Sequence, residues 1–127
     1  FMADTSAGFV ATASSQGQPV EFSASTFRDV DGKLWHNIGI DNAGDREEFT
    51  DGIDFALTTD VKGRKRATWR VEEESGWLVE IVATVRGKGE GKIEISGHDS
   101  DGDDIYFLGR ALLRIHEPVP APAAHRG

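Results

Sequence analysis

Apolar and polar residues alternate with a period of two along much of this chain. The clearest run is Gly76 to Arg86, where Trp77, Val79, Ile81, Ala83 and Val85 fall on one side and Leu78, Glu80, Val82 and Thr84 on the other. Successive side chains of a strand point to opposite faces, so the first set predicts a core-facing row. Ile53 to Val61 repeats the pattern, with Phe55, Leu57, Thr59 and Val61 set against Asp54, Ala56, Thr58 and Asp60. A polar turn at Lys62-Gly63-Arg64-Lys65 is followed by Ala67, Trp69 and Val71 on one face, which predicts a hairpin. Lys92 to Ser96 reads as a short strand and Ile105 to Ile115 as a long one, with Ile105, Phe107, Ala111, Leu113 and Ile115 on one face. Leu108 and Leu112 lie on the other face of that strand, so it is expected at the centre of its sheet or beneath another element. Gly109 in its middle predicts a bulge or a close approach of backbone.

The first half alternates less regularly. Gly8 to Ser14, Val20 to Phe27 and Lys33 to Ile40 are strand candidates, joined by Gln16-Gly17-Gln18-Pro19 and by Asp29-Val30-Asp31-Gly32. The Asp-Gly pair makes the second joint a good turn. Asp41 to Gly52 carries no strand pattern and is expected as a long loop, with one helical turn at Asp45 to Phe49 and a role as one wall of a site. The prolines at 118, 120 and 122 exclude a ladder or a regular helix.

These elements predict an all-β fold: a single-domain antiparallel β-sandwich or small β-barrel of roughly seven to nine strands. Residues 8–116 form the domain. Residues 1–7 are expected to be a disordered N-terminal segment in which Phe1, ahead of Met2, is a cloning remnant, and residues 117–127 a Pro/Ala-rich tail. A length of 127 residues can bury one core without disulfides or a structural metal.

Composition removes whole classes of chemistry. The absence of cysteine excludes a disulfide framework, a Cys-based zinc site, a thiol nucleophile and an iron–sulfur cluster. A formal net charge of −8 argues against whole-surface attraction to nucleic acid or to anionic membranes, so neither partner is expected. No apolar run approaches the roughly 20 residues that span a bilayer, so a soluble protein is expected. The N-terminus has no secretory pattern, which places the protein in the cytoplasm if Met2 is the true start.

Three groups of residues are candidates for chemistry. Asp99, Asp101 and Asp103 alternate around Gly102 in the segment His98 to Asp104, and oxygen ligands so spaced can wrap a hard cation, with Ca2+ the one cofactor considered. The glycine comes too early for an EF-hand and no glutamate closes the loop, so a solvated Asp-Gly turn between Ile95 and Ile105 is the competing reading. Lys62, Arg64, Lys65 and Arg66 concentrate positive charge and are candidates for an anion or an acidic partner. A charged hairpin tip that discourages edge pairing accounts for them equally. Trp35 with His36, just before the long loop, is the candidate ligand contact: an inward Trp35 would stack on a ligand and leave His36 facing solvent. Trp69 and Trp77 are expected in the core.

No nucleophile elbow, metalloprotease helix, phosphate-binding loop or dinucleotide fingerprint is present, and no catalytic residue is assigned. His98, His116 and His125 belong to no recognised arrangement. The expected function is that of a non-catalytic binding or assembly module recognising a small molecule, glycan or protein partner, as a homo-oligomer through an exposed sheet edge or face. The alternatives are a small-barrel enzyme with a motif-less apolar pocket and a calcium-stabilised structural module.

Overall fold

A computed structural model describes residues 6–15 and 17–116. Residues 1–5, Gln16 and the expected tail at 117–127, with His125, lie outside the described residues. Nine strands follow in chain order: β1 (Ser6–Ser15), β2 (Gln18–Arg28), β3 (Leu34–Asn42), β4 (Asp45–Phe49), β5 (Asp54–Thr59), β6 (Lys65–Glu72), β7 (Leu78–Gly87), β8 (Glu90–His98) and β9 (Asp104–His116). They form one curled antiparallel sheet in the order β4-β3-β2-β1-β9-β8-β7-β6-β5. Among the described residues there is no helix, and so none long and apolar enough to cross a membrane. Strand β1 begins at Ser6, so Ser6 and Ala7 belong to the sheet rather than to a disordered leader.

Alternation sets the two faces. Phe9, Phe22, Ile38, Trp69, Ile81, Ile93, Ile95 and Leu113 point to the concave side and are almost fully buried. The row Trp77 to Val85 faces the core as its pattern predicts, with Val79 and Ala83 at 0 % exposure. Strand β9, apolar on both faces, is the central strand, between β1 and β8. Its outward Leu108 and Leu112 are nevertheless exposed. Gly109 makes no bulge, because the β8–β9 register runs unbroken through it. The Phe107 ring folds over it instead, 2.7 Å from where a Cβ would stand.

Four of the hairpins share one turn. In each, the first residue's carbonyl accepts from the amide of a glycine three places on, and its amide donates to the carbonyl four places on: Asp29 with Gly32 and Lys33, Asp60 with Gly63 and Arg64, Glu73 with Gly76 and Trp77, Asp99 with Gly102 and Asp103. The glycines have positive φ, 83° at Gly32 and 81° at Gly63, which an L side chain adopts only at a cost. The expected long loop at Asp41 to Gly52 contains no helical turn. It is a tight turn at Ala43-Gly44 (φ 54° and 94°) followed by β4, whose Phe49 pairs with Ile38 and whose Asp45 pairs with Asn42.

Two irregularities shape the molecule. Among the described residues the ladder between β1 and β9 has four pairs, Ser6–His116 to Phe9–Leu113, and it ends at Phe9–Leu113 although both strands run on well past that pair. The two edges, β4 and β5, are consecutive in the chain and joined by residues 50–53, which can span roughly 17 Å at most between Phe49 and Asp54. The sheet must therefore curl until its edges approach. All eight ladders are antiparallel, so β4 and β5 run in the same direction. Parallel neighbours need a crossover of a dozen or so residues, and no ladder joins these two among the described residues.

Candidate functional site

Beyond Phe9 and Leu113, strands β1 and β9 are no longer laddered, and a cavity of about 730 Å3 opens at that end of the curl. Ala13 and Ser14 of β1 border it on one side, and Ile105 and Tyr106 of β9 on the other. Val20, Phe22, Ile40, Trp77 and Ile105 supply an apolar, partly aromatic lining. That lining is held from behind: Phe22 packs on Phe107 with ring centroids 5.4 Å apart, and Phe49 meets Trp77 edge-on at 5.4 Å.

The polar part of the lining is acidic. Asp45 and Glu47 come from β4, and Asp99, Asp101, Asp103 and Asp104 from the β8–β9 turn and the start of β9. Register explains Asp45 and Glu47: Glu47 pairs with Ile40 and Asp45 with Asn42, so both stand on the concave side where the cavity opens to water. Asn42, Ser14, Ser100 and the exposed Tyr106 add neutral polar groups, and among the described residues no lysine, arginine or histidine lines the cavity. The segment expected as a loop at Asp41 to Gly52 borders this cavity as a strand, through Asn42, Asp45 and Glu47.

Asp99, Asp101 and Asp103 each bring a carboxylate oxygen within 4.8 Å of the others. Oδ1 of Asp99 already accepts the backbone N–H groups of Asp101 and Asp103, both at 2.9 Å. The same pair of bonds forms at Asp29, from Asp31 and Lys33, and at Asp60, from Lys62 and Arg64. At Asp60 the positions equivalent to Asp101 and Asp103 are cations, so the turn itself requires no metal. A calcium ion there would take three protein carboxylates and complete its usual six to eight oxygens from water.

The Trp35 and His36 pair faces the opposite way from the expectation. Pairing of β3 with β2 puts His36, Ile38 and Ile40 on the concave face and Trp35, opposite Phe27, on the convex one. Trp35 donates its Nε1–H to Asp29 Oδ2 at 2.7 Å and lies beneath Lys33 Nζ, 4.4 Å from the ring centroid. The indole bond, ahead of the Lys33 amide, holds the Asp29 carboxyl below its ordinary pKa. Trp35 lines no part of the cavity. Its neighbour is half-buried: His36 Nδ1 lies 2.8 Å from Thr26 Oγ1, and the same oxygen accepts the Trp69 Nε1–H at 2.8 Å. With that lone pair used, the Thr26 hydroxyl can donate to Nδ1 of a neutral His36. Burial lowers the His36 pKa in the same sense.

The basic run is not gathered to one point. Lys62 and Arg64 flank the β5–β6 turn, where their amides bind Asp60 and hold its carboxyl low, the Arg64 amide most of all. Lys65 pairs with Thr59 and Arg66 with Thr58, so these two side chains leave on opposite faces. Sequence reasoning missed Tyr106, Asp104 and the part Phe22 and Trp77 play beside the carboxylates. The phase of alternation assigned Trp77 to the core side, but only the separation of β1 from β9 exposes that side. Comparison with family models, with curated proteins and with solved structures gave no match to this chain.

Proposed function

We propose that the domain is a non-catalytic binding module whose cavity takes a small organic cation with an apolar body. One observation carries this reading: an aromatic and aliphatic lining shares its mouth with six carboxylates and, among the described residues, no basic side chain. Such a surround raises the local concentration of cations, and the faces of Trp77, Phe22 and Tyr106 attract them further through the ring quadrupole. A volume of about 730 Å3 suits a drug-sized or smaller guest. In this reading β4 and β5 act as one broken strand that pairs first with β3 and then with β6, closing the curl into a small barrel around the cavity. The contact of His36 on β3 with Phe55 on β5, at 5.4 Å, supports that closure.

The test is calorimetric titration with benzyltrimethylammonium and with neopentylbenzene, its neutral carbon isostere. The cation is expected to bind, more weakly as salt rises, and the isostere not to bind. Glu47→Gln with Asp104→Asn should weaken the cation about tenfold, equivalent to about 1.4 kcal/mol. Equal affinity for the two compounds, or none for either, would remove the reading. A second reading, a Ca2+ ion held by Asp99, Asp101 and Asp103, is favoured by their 4.8 Å grouping. It requires millimolar calcium to raise the thermal midpoint over that in EDTA, and Asp101→Ala to abolish the rise.

A further inference from the structure

We propose that the cation taken by the cavity is a lysine side chain of an extended peptide, whose main chain pairs with the open edge of β9. The inference rests on the cation-binding reading of the cavity and adds the partner that presents the cation. It starts from hydrogen-bond parity. At the two ends of β9 odd-numbered residues bond to the β8 side: the Asp99 amide donates to the Asp103 carbonyl at 2.9 Å, and the Leu113 amide to the Gly89 carbonyl at 2.7 Å. The register between them is unbroken, and hydrogen-bonded positions alternate along an antiparallel strand. Ile105, Phe107, Gly109 and Ala111 therefore bond to β8, while Asp104, Tyr106, Leu108, Arg110 and Leu112 turn N–H and C=O towards β1. By the same parity Gly8 bonds to Arg114, so Val10, Thr12 and Ser14 of β1 face β9. Among the described residues no ladder takes up either set, because pairing stops at Phe9–Leu113.

An open edge is a template for another strand unless it is short, charged or bulged. Strand β4 is protected in this way, being short and carrying Asp45, Arg46, Glu47 and Glu48. The open run of β9, from Asp104 to Leu112, is long and has no proline and no break in register. Its one cation, Arg110, is neutralised by Glu90 at 2.8 Å. Charge selects the guest. The run begins at the cavity, which Asp104 and Tyr106 line together with Asp99, Asp101, Asp103, Asp45 and Glu47. Among the described residues none of these six carboxylates is ion-paired. The guanidinium of Arg46, on the opposite face of β4, is taken by Glu48 at 2.7 Å. A guest strand sends every second side chain to the concave side. A lysine there lays its methylene stem on the apolar lining and its ammonium among the carboxylates. Main-chain bonds then supply affinity and the cavity supplies specificity, as in strand addition generally. Seating a strand between β1 and β9 requires them to stand about 9.6 Å apart, two strand spacings, and no ladder has to break for that.

Calorimetric titration of the wild-type protein compares the peptide Ac-Thr-Val-Thr-Lys-Thr-Val-Thr-NH2 with N-acetyl-lysine N-methylamide, which has the same side chain and almost no strand. The peptide is expected to bind at least about tenfold tighter. Norleucine in place of its lysine should abolish binding, and N-methylation of alternate main-chain amides, in one of the two phases, should remove the gain. Leu108→Pro deletes an N–H that makes no bond to β8, a place where a strand tolerates proline. With its fold confirmed by circular dichroism, that variant should bind the peptide no better than the amide and bind benzyltrimethylammonium as the wild type does. If it fails to fold, the N-methylated peptides on the wild type decide. A peptide no tighter than the amide, one unaffected by Leu108→Pro or by N-methylation in either phase, or a norleucine analogue of equal affinity overturns the proposal. The cavity reading survives those outcomes as long as benzyltrimethylammonium binds. Failure of benzyltrimethylammonium to bind the wild type removes both.

Discussion

Thr26 is a small residue at 1 % exposure that satisfies two ring nitrogens, the indole of Trp69 and the imidazole of His36. Valine has nearly its shape and neither function. Thr26→Val should therefore leave the fully buried Trp69 N–H without a partner and cost about 1–3 kcal/mol in urea unfolding at neutral pH. The relay also makes stability depend on pH. Burial holds the folded pKa of His36 below its ordinary 6.5, so between those values the unfolded chain binds the extra proton. The contribution is complete above pH 6.5, declines as pH falls from there towards the folded value, and is level below it. Asp29, Glu48 and Asp60 are shifted down by hydrogen bonds, so what they contribute is lost only lower, as pH falls from their ordinary 3.8 to 4.5 range. Unfolding free energy measured against pH should show the two regions apart, and His36→Gln should flatten only the upper one. An unchanged upper slope in that variant would mean that another group supplies it.

At the level of elements, the repeated turn is what makes hairpins of this chain, and its glycines test that claim cleanly. A Cβ at Gly32, Gly63 or Gly102 meets nothing within 4 Å, so alanine there changes only the backbone preference. Each Gly→Ala variant should lose about 1–2 kcal/mol in chemical denaturation, and asparagine, which tolerates positive φ better, should lose less. Equal losses for the two residues would argue against a conformational origin. The turn was legible in the Asp-Gly pairs, and the strands in their alternation: the segment read as Ile105 to Ile115 is β9, Asp104–His116, and the one read as Val20 to Phe27 is β2, Gln18–Arg28. Strand β4 was not legible, for a physical reason. Its concave residues Asp45 and Glu47 face the watery mouth of the cavity while Arg46 and Glu48 face solvent outside, so both faces are polar and no period appears. Trp35 and His36 failed differently, since strong hydrophobicity suggested an inward indole where the register with β2 buries the histidine. The cavity itself left no local signature, because it depends on two strands far apart in sequence ceasing to pair.

Across the whole molecule the same logic ties stability to the place where the curl is not laddered. Phe49 ends β4, is 2 % exposed, and rests on Trp77 just before β7, so one ring connects an edge of the sheet to its opposite wall and to the cavity lining. Elsewhere backbone hydrogen bonds between neighbouring strands do this work, but between β4 and β5 the described residues show no ladder, and side-chain packing must hold the edges together. Phe49→Ala should cost about 3–5 kcal/mol, as large aromatic truncations in cores do. How that cost is distributed distinguishes a side-chain clasp from ordinary core packing. If Phe49 clasps the curl, hydrogen exchange in Phe49→Ala should accelerate first in the amides of β3 and β4, through local opening, while the β7–β8–β9 ladders keep their relative protection. Uniform acceleration over all nine strands would instead make Phe49 one core residue among many. A clasp of this kind would also let the edge strand that carries Asp45 and Glu47 move relative to Trp77. Ligand entry at the mouth would then need opening of one short strand while the central ladders stay intact.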